Sequence, residues 1–142
     1  MLAAQRGLSP DRAAIDAVLD GFKSLDPHPD VRPAMERLRA AGLTVATLSN
    51  GGFEATRMGV DEIQRYKPGP AIYLHGARTL GLEPSRMVMV AVHAWDLQGA
   101  RRAGLRTGWG SRLEKVWDPA MEPPDVSGPD LLAVAEGIVQ LG

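Results

Sequence analysis

Hydrophobic positions along the chain alternate between helical spacing and short continuous runs. Apolar residues recur every three or four positions over residues 10–23 and again over Val31–Ala41, which predicts two amphipathic helices. Ser9 and Pro10 form a start signal for the first helix. Two prolines in the segment 26–30 separate the two helices, because proline cannot continue a helix.

Three segments are predicted to be strands. Met87–Val92 is a continuous apolar run, which is typical of a strand buried on both faces of a sheet, Leu43–Leu48 is predicted to be a buried strand, and Leu105–Trp109 is a second short apolar run. A helical run that ends at Gly104 separates the last two, so this region is predicted to be a βαβ unit. Two further helices are predicted, Pro70–Leu80 and Leu131–Leu141, the second capped by Asp130. The order of elements predicts an α/β fold, with a parallel sheet and helices on both faces.

Two stretches have no clean hydrophobic period. Residues 53–65 fit either a ragged helix or a loop. Proline, glycine and charged residues are frequent over residues 111–129, which are therefore predicted to be a loop.

Composition and charge exclude several kinds of protein. The 142 residues fit one domain, and with only two Phe and two Tyr its core must be mainly aliphatic. The absence of cysteine excludes a disulfide framework, a thiolate metal site and a cysteine nucleophile. A net charge of -1 argues against a nucleic-acid or anionic-membrane partner, and Arg101 and Arg102 are predicted to form a solvated helix face. Without a long apolar run or a signal-peptide pattern, a cytoplasmic location is expected.

Polar residues follow the predicted strands, at the edge of the sheet where parallel sheets bind ligands. Ser49 and Asn50 follow the first strand and offer a hydroxyl and an amide to an anion, although Asn-Gly is also a common turn. Lys67, before Pro68, is placed either to hold its charge against a phosphate or carboxylate, or to be solvated.

His93 and Asp96 follow the second strand. Asp96 is placed to cap the next helix, to orient Lys67 or to bind a divalent metal. His93 is placed to act as a base or to make a structural hydrogen bond. Neighbouring strands present these groups to one crevice, so the sequence predicts a single site for a small anionic substrate.

The strings TLSNG, YKPGPAIY and MVMVAVHAWDLQGARRAGLRTGW together resemble the haloacid dehalogenase (HAD) superfamily of hydrolases. Within it, the chain is most similar to the type II (L-2-haloacid) dehalogenases, and the resemblance extends over Leu25–Ser111. It implies a HAD-like, Rossmann-type α/β core over residues 31–142, shortened and incomplete. Residues 1–30 are expected to be the remnant of a helical cap.

The resemblance also implies roles for the residues that match the family's motifs. Ser49 and Asn50 would bind the substrate carboxylate, and Lys67 would offset negative charge on the nucleophilic carboxylate and its ester. Asp96 would position Lys67 and the hydrolytic water. His93 stands where well-studied dehalogenases carry Asn and is expected to be a polar contact for the substrate. Dehalogenases need no cofactor, whereas acids in this loop hold Mg²⁺ in phosphatase relatives.

The family's nucleophile is an Asp that ends the first strand, in a pattern like Asp-x-x-Gly-Thr, and forms an ester that water hydrolyses. No apolar strand followed by Asp precedes Leu43. The chain is therefore expected to be a truncated or degenerate dehalogenase, inactive alone, whose parent reaction removes halide from short 2-haloacids. The alternatives are a non-catalytic module that binds anions or partners, including a second copy through an uncovered sheet edge, and a Mg²⁺-dependent phosphatase relative.

Overall fold

Three parallel strands form the sheet at the centre of the fold, in the order β1-β2-β3. A computed structural model describes residues 11–50 and 64–142. The elements in chain order are α1 (Arg12–Lys23), α2 (Val31–Ala40), α3 (Pro70–Leu80), a 3₁₀ turn (Pro84–Arg86), β1 (Val88–Ala91), α4 (Ala94–Arg102), β2 (Arg106–Gly110), β3 (Val126–Gly128) and α5 (Leu131–Leu141).

Helices cover both faces of this sheet. On β2, Thr107 faces α4, where its hydroxyl accepts a hydrogen bond from Arg101 at 3.1 Å. The next residue, Gly108, faces Val134 and Ile138 of α5. Successive residues of a strand point to opposite faces, so α4 and α5 lie on opposite sides of the sheet. The predicted α/β architecture, with a parallel sheet between helices, is confirmed.

Each outer layer holds two helices. On the α4 side, α3 packs against α4 through a buried cluster made of Ile72, Tyr73, Ala100, Ala103 and Leu105. On the other side, α2 packs against α5. Burial of these apolar side chains, at roughly 25 cal/mol per Å² of apolar surface, holds the layers together.

The predicted helices agree with the structure within a few residues. Asp11 caps α1 by accepting a hydrogen bond from the Ala14 amide at 2.7 Å, while the predicted cap Ser9 lies outside the described residues. Asp130 caps α5 as predicted, through the Ala133 amide at 2.8 Å. Residues 53–63 of the ambiguous stretch also lie outside the described part of the chain.

One strand prediction and one loop prediction were wrong. Residues 43–49 form no strand: the segment is exposed or half-buried, and residues 44–48 make no backbone hydrogen bond within the described chain. A cavity separates the segment from β1, so its apolar run has no strand to pair with. Conversely, β3 lies within the predicted loop 111–129, because three residues are too few to show a period.

Arg101 also differs from its prediction as a solvated residue. Its guanidinium donates hydrogen bonds to the Pro123 carbonyl at 2.8 Å and to the Asp125 carboxylate at 3.0 Å. Asp125 accepts two further hydrogen bonds from the amide and hydroxyl of Thr107, at 2.7 and 2.8 Å. Burial alone would raise the pKa of Asp125, but these donors outweigh it and lower that pKa. The contacts fasten the end of the long loop to α4 and β2.

Asp30 joins the starts of two helices. Its carboxylate accepts a hydrogen bond from the Leu131 amide at 2.6 Å, at the beginning of α5, and another from Arg112. The Leu131 hydrogen bond, with a contribution from Arg112, holds the pKa of Asp30 below its ordinary value. The predicted boundary at residue 30 therefore falls on a residue that is tied to the core, although the division into 1–30 and 31–142 stays a prediction.

Among the described helices, none combines the length and the apolar character that crossing a membrane requires. The cytoplasmic location stays a prediction.

Replacing Asp30 tests this junction. Asp30→Ala should lower the free energy of unfolding at pH 7 by about 2–3 kcal/mol, because hydrogen bonds to a charged group are lost. A carboxyl with a lowered pKa in the folded state stabilises the fold above its unfolded pKa and loses that effect as the pH falls. The difference between wild type and variant, measured by urea denaturation, should therefore shrink below about pH 4. Asp26→Ala, an exposed residue of the same connection, is the control; an equal loss in both would contradict the prediction.

Candidate active site

Lys67 and Asp96 form a buried ion pair. The Lys67 Nζ atom lies 2.8 Å from Oδ2 of Asp96, and the two side chains are 7% and 10% exposed. Lys67 precedes Pro68 in the turn before α3, and Asp96 lies in the first turn of α4, directly after β1. The structure thus brings together two of the predicted site residues from separate elements.

Tyr73 of α3 binds the second oxygen of the Asp96 carboxylate. Its hydroxyl donates a hydrogen bond to Oδ1 of Asp96 at 2.6 Å and lies 3.0 Å from the main-chain oxygen of the same residue. Burial, together with the hydrogen bond to the Asp96 carboxylate, raises the pKa of Tyr73, so the hydroxyl stays protonated. Both oxygens of Asp96 are thereby engaged, which suits an acid that orients Lys67 rather than one that attacks a substrate.

Two hydrogen atoms of the Lys67 ammonium remain for an anion. An ammonium has three donors, and within the described chain its hydrogen-bonding partner is Asp96 alone. The Nζ atom also lies 5.8 Å from the centroid of the Tyr73 ring. A buried ammonium with one carboxylate partner is well suited to stabilise a second negative charge.

Asn50 holds the turn that carries Lys67. Its side-chain oxygen accepts a hydrogen bond from the Lys67 amide at 2.8 Å, which leaves its two amide hydrogens for another group. Ser49 is half-buried next to Asn50, at the end of the segment 43–49. These contacts place three predicted residues, Asn50, Lys67 and Asp96, in one connected network, with Ser49 adjacent in the chain.

His93 lies at the start of α4 and is held by Glu114. The His93 Nδ1 atom lies 3.1 Å from Oε1 of Glu114, and its ring stacks on Trp95 with centroids 5.8 Å apart. The other oxygen of Glu114 accepts a hydrogen bond from the Ala94 amide at 2.9 Å, so Glu114 caps α4 from outside the helix. The alternative that Asp96 caps this helix was wrong: His93 occupies the cap position and Asp96 lies within the first turn.

Gly99 lets α4 approach the Lys67 turn closely. A Cβ atom at this position would lie 2.6 Å from the Pro68 carbonyl oxygen and 2.7 Å from the Tyr73 hydroxyl. Any side chain here would therefore displace groups on either side of the ion pair. The site depends on glycine for a close contact between two backbones.

The described residues do not fit a magnesium site. Within residues 11–50 and 64–142, no group of three or more His, Asp or Glu side chains is arranged to hold a metal ion. Asp96, for which metal binding was one of the alternatives, already uses both oxygens on Tyr73 and Lys67.

Sequence reasoning missed Tyr73 and Glu114. A buried tyrosine in a helix needs a hydrogen-bonding partner for its hydroxyl. The position of Tyr73, six residues after Lys67, could therefore have indicated a contact with the site. Glu114 lies 21 residues from His93, in a stretch predicted to be a loop, and no local pattern marks it.

Comparisons with a family model and with known proteins all point to one family of hydrolases. Residues 2–104 match the family model of haloacid dehalogenase-like hydrolases. The (S)-2-haloacid dehalogenase of Pseudomonas sp. strain YL is 32% identical, over 92% of this chain and 62% of that enzyme. (S)-2-haloacid dehalogenase 1 of Pseudomonas sp. strain CBS-3 is 33% identical, over 75% of this chain and 53% of that enzyme. The chain thus spans less than two thirds of these relatives.

Solved structures show the same likeness. A crystal structure of an L-2-haloacid dehalogenase superposes with a TM-score of 0.79 at 28% identity, covering 98% of this chain and 67% of that one. The L-2-haloacid dehalogenase of Xanthobacter autotrophicus has a TM-score of 0.84 at 22% identity, covering 95% of this chain and 70% of that one, and supports the fold alone.

Breaking the ion pair from one side should destabilise the fold. Lys67→Met leaves the Asp96 carboxylate buried without its cation, and we expect a loss of about 3–5 kcal/mol in the free energy of unfolding. The double variant Lys67→Met/Asp96→Asn should lose less than the sum of the two single variants, because it buries no unpaired charge. Urea denaturation of the four proteins measures this coupling, and strictly additive losses would contradict it.

Gly99→Ala should disturb the site through steric overlap. We expect a loss of about 1–3 kcal/mol in the free energy of unfolding, with changed amide chemical shifts at Lys67 and Tyr73. Gly21→Ala is the matched control, since it adds the same methyl group to a helix where no atom lies within 4 Å. The control should gain about 0.5–1 kcal/mol. A stabilised Gly99→Ala protein with unchanged shifts would argue against the close contact.

Proposed function

Because this chain belongs to the haloacid dehalogenase-like hydrolases, we propose that its site serves the hydrolytic removal of halide from a short (S)-2-haloacid. The observation that carries the proposal is the buried Lys67 ammonium, which Asp96 holds while Asn50 binds the Lys67 main-chain amide. Within residues 11–50 and 64–142, two donors of this ammonium remain for an anion. The names of the relatives, (S)-2-haloacid dehalogenases, support this class of substrate.

The proposed reaction has two steps. An Asp carboxylate attacks the carbon that bears the halogen, forming an ester bond while the halide leaves with the electron pair of the broken bond. Water then attacks the carbonyl carbon of the ester, which releases a 2-hydroxy acid and restores the carboxylate. Negative charge is present on the attacking group before the first step and develops on the ester oxygen in the second.

In that reaction, the residues of this chain bind the substrate, orient the Lys67 ammonium and stabilise negative charge. Lys67 stabilises the negative oxygen near its ammonium, an effect that is strong because the group is buried. Ser49 and Asn50 supply donors for the substrate carboxylate. Asp96 and Tyr73 keep the ammonium in one position, and Asp96 helps to place the hydrolytic water. His93, whose ring Glu114 fixes, provides a polar contact at the rim of the site.

The attacking carboxylate must come from elsewhere than Asp96, whose two oxygens are engaged. The chain spans 62% of the length of the Pseudomonas sp. strain YL enzyme. We therefore propose that the 142 residues by themselves carry the part of the site that handles charge and have no turnover.

A second candidate function is a non-catalytic module that binds a partner. The specific observation in its favour is the cavity between the segment 43–49 and β1, which leaves one edge of the sheet uncovered in the described chain. The two functions differ in what they require, since the first requires a small anion at Lys67 and the second requires a polypeptide in the cavity.

Titration with (S)-2-chloropropionate, followed by amide chemical shifts, tests the proposed function. Binding should shift the amides of Asn50, Lys67 and Ala94, and Lys67→Met should weaken it at least about tenfold, because a charge-assisted contact is lost. Halide release, measured with an ion-selective electrode, should not exceed that of buffer, because both oxygens of Asp96, the carboxylate at Lys67 in the described chain, are engaged.

Two controls sharpen this experiment. Arg12→Met removes one positive charge from an exposed side chain at the start of α1 and should leave binding unchanged. The (R)-enantiomer should bind more weakly if the site selects the configuration named for the relatives. Binding that is unaffected by Lys67→Met would count against the proposed site, and halide release that this variant abolishes would overturn the expected lack of turnover.

A further inference from the structure

A cavity of about 400 Å³ lies beside the start of α4, and its volume is within the range of small-molecule sites. Two indole rings border it, that of Trp95 in α4 and that of Trp117 in the loop between β2 and β3. Two acidic residues, Glu114 and Asp118, and the thioether of Met121 also line it. We call this space the indole cavity.

Both indole rings are held in place by neighbouring groups. The Trp117 Nε1 atom donates a hydrogen bond to the Met121 main-chain oxygen at 3.2 Å, and the Trp117 ring meets the Trp109 ring edge to face, with centroids 5.2 Å apart. The Trp95 ring stacks on His93, with centroids 5.8 Å apart. Rings that are already fixed lose little conformational freedom when a ligand binds, so the walls of the cavity are preorganised.

Charge in the indole cavity favours a positive ligand. Glu114 and Asp118 bring carboxylates to it, and no Lys or Arg borders it in the part of the chain that the structure describes. The face of an indole ring carries partial negative charge and attracts a cation within about 6 Å of the ring centroid. The carboxylates and the rings therefore select for the same sign of charge, which is opposite to that of a haloacid.

The hydrogen-bond acceptors of the cavity indicate which kind of cation fits. Both Glu114 oxygens are occupied, one by His93 Nδ1 at 3.1 Å and the other by the Ala94 amide at 2.9 Å. One oxygen of Asp118 accepts a hydrogen bond from the Ala120 amide at 2.9 Å, so Oδ2 of Asp118 is the carboxylate oxygen that remains in the described chain. A primary ammonium has three donors to satisfy and is strongly hydrated, whereas a quaternary ammonium has none. The cavity thus suits a cation whose surface is made of methyl groups.

A metal ion fits this cavity poorly. Indole rings supply no ligand atoms for it, and within residues 11–50 and 64–142 no three His, Asp or Glu side chains are grouped to hold one.

We propose that the indole cavity binds a small quaternary ammonium compound, whose methyl groups contact the rings of Trp95 and Trp117 and whose charge Asp118 balances. The proposal does not depend on the proposed function, because neither Lys67 nor Asp96 is among the residues that line the cavity.

Titration of the 142-residue protein with choline chloride tests the proposal. Binding should shift the indole Nε1–H signals of Trp95 and Trp117 in a saturable way and leave the amide signals of Asn50 and Lys67 unchanged. Sodium chloride at the same concentrations is the blank, since chloride accompanies the choline.

Two ligands related to choline separate charge from apolar surface. In 3,3-dimethyl-1-butanol a tert-butyl group replaces the trimethylammonium group, which keeps the shape and removes the charge. Ethanolamine keeps the charge but carries three N–H donors in place of the methyl groups. Choline should bind at least about tenfold more tightly than either compound, because it alone combines a cation with an apolar surface.

Matched variants locate the binding in the cavity. Asp118→Asn keeps the side-chain oxygen that the Ala120 amide uses and removes the charge, so it should weaken choline binding by about threefold. Trp95→Leu should weaken it by about fivefold, with the Trp117 signal as the reporter. Asp26→Asn makes the same change as the first variant at an exposed residue outside the cavity and should leave binding unchanged. Circular dichroism confirms that the three variants are folded.

Several outcomes would overturn the inference. Equal binding of 3,3-dimethyl-1-butanol and choline would show that the cavity selects apolar surface and not charge. Equal binding of ethanolamine and choline would show that the carboxylates act without the indole rings. The absence of a saturable shift with choline, or an unchanged affinity in both Asp118→Asn and Trp95→Leu, would also contradict the proposal. Since (S)-2-chloropropionate binding is measured separately at Lys67, either proposal can fail without the other.

Discussion

The pairing of Lys67 with Asp96 sets the position of three separate parts of the chain. Each charge is largely removed from water, and the energetic cost is offset only while the two groups remain in contact and the carboxylate is otherwise satisfied. Tyr73 fulfils the second condition from α3, and Asn50 holds the Lys67 backbone from the neighbouring segment. The turn, the start of α4 and the first turns of α3 are therefore held in one arrangement by a few polar atoms.

The position of this ion pair also explains the roles of Gly99 and Glu114. Gly99 is needed because α4 must come close enough to the Lys67 turn for Asp96 to reach the ammonium. Glu114 caps α4 in place of Asp96, which frees the Asp96 side chain to point at Lys67. The site is thus built from a helix start whose own hydrogen bonds are satisfied from a distant loop.

Much of the fold could be predicted because its elements are locally encoded. Apolar spacing indicated α1 and α2, whereas residues that start or end helices indicated α3, α4 and α5. Asp130, for example, could be identified as a cap from its position before an apolar run. The rule that parallel strands bind ligands at their carboxyl ends pointed to Asn50 and Asp96. Lys67 was singled out by its place before Pro68, and the roles of all three residues came from the resemblance to the dehalogenases. Tyr73 and Glu114 were harder, since their contacts join residues 21 or more positions apart.

The segment 43–49 shows what a hydrophobic pattern leaves undetermined. Its run of apolar residues is typical of a buried strand, but a strand also needs a neighbour at hydrogen-bonding distance. That neighbour is a property of the assembled sheet and leaves no mark on residues 43–48 themselves. The segment accordingly has the composition of a strand and the exposure of a surface chain.

The hydrogen bond between Asp30 and the Leu131 amide has a consequence for the order of folding. It joins residues 101 positions apart, and closing a flexible loop of that length costs about 4 kcal/mol in chain entropy. The β1-α4-β2 unit, by contrast, pairs residues that are near each other in the chain. Native contacts of this unit can therefore form early, while the Asp30 contact waits until the sheet has brought both ends together. We expect the Asp30 contact to be absent from the transition state for folding, and such a contact acts mainly on the rate of unfolding. This carboxylate would then govern the lifetime of the folded chain more than the speed at which it forms.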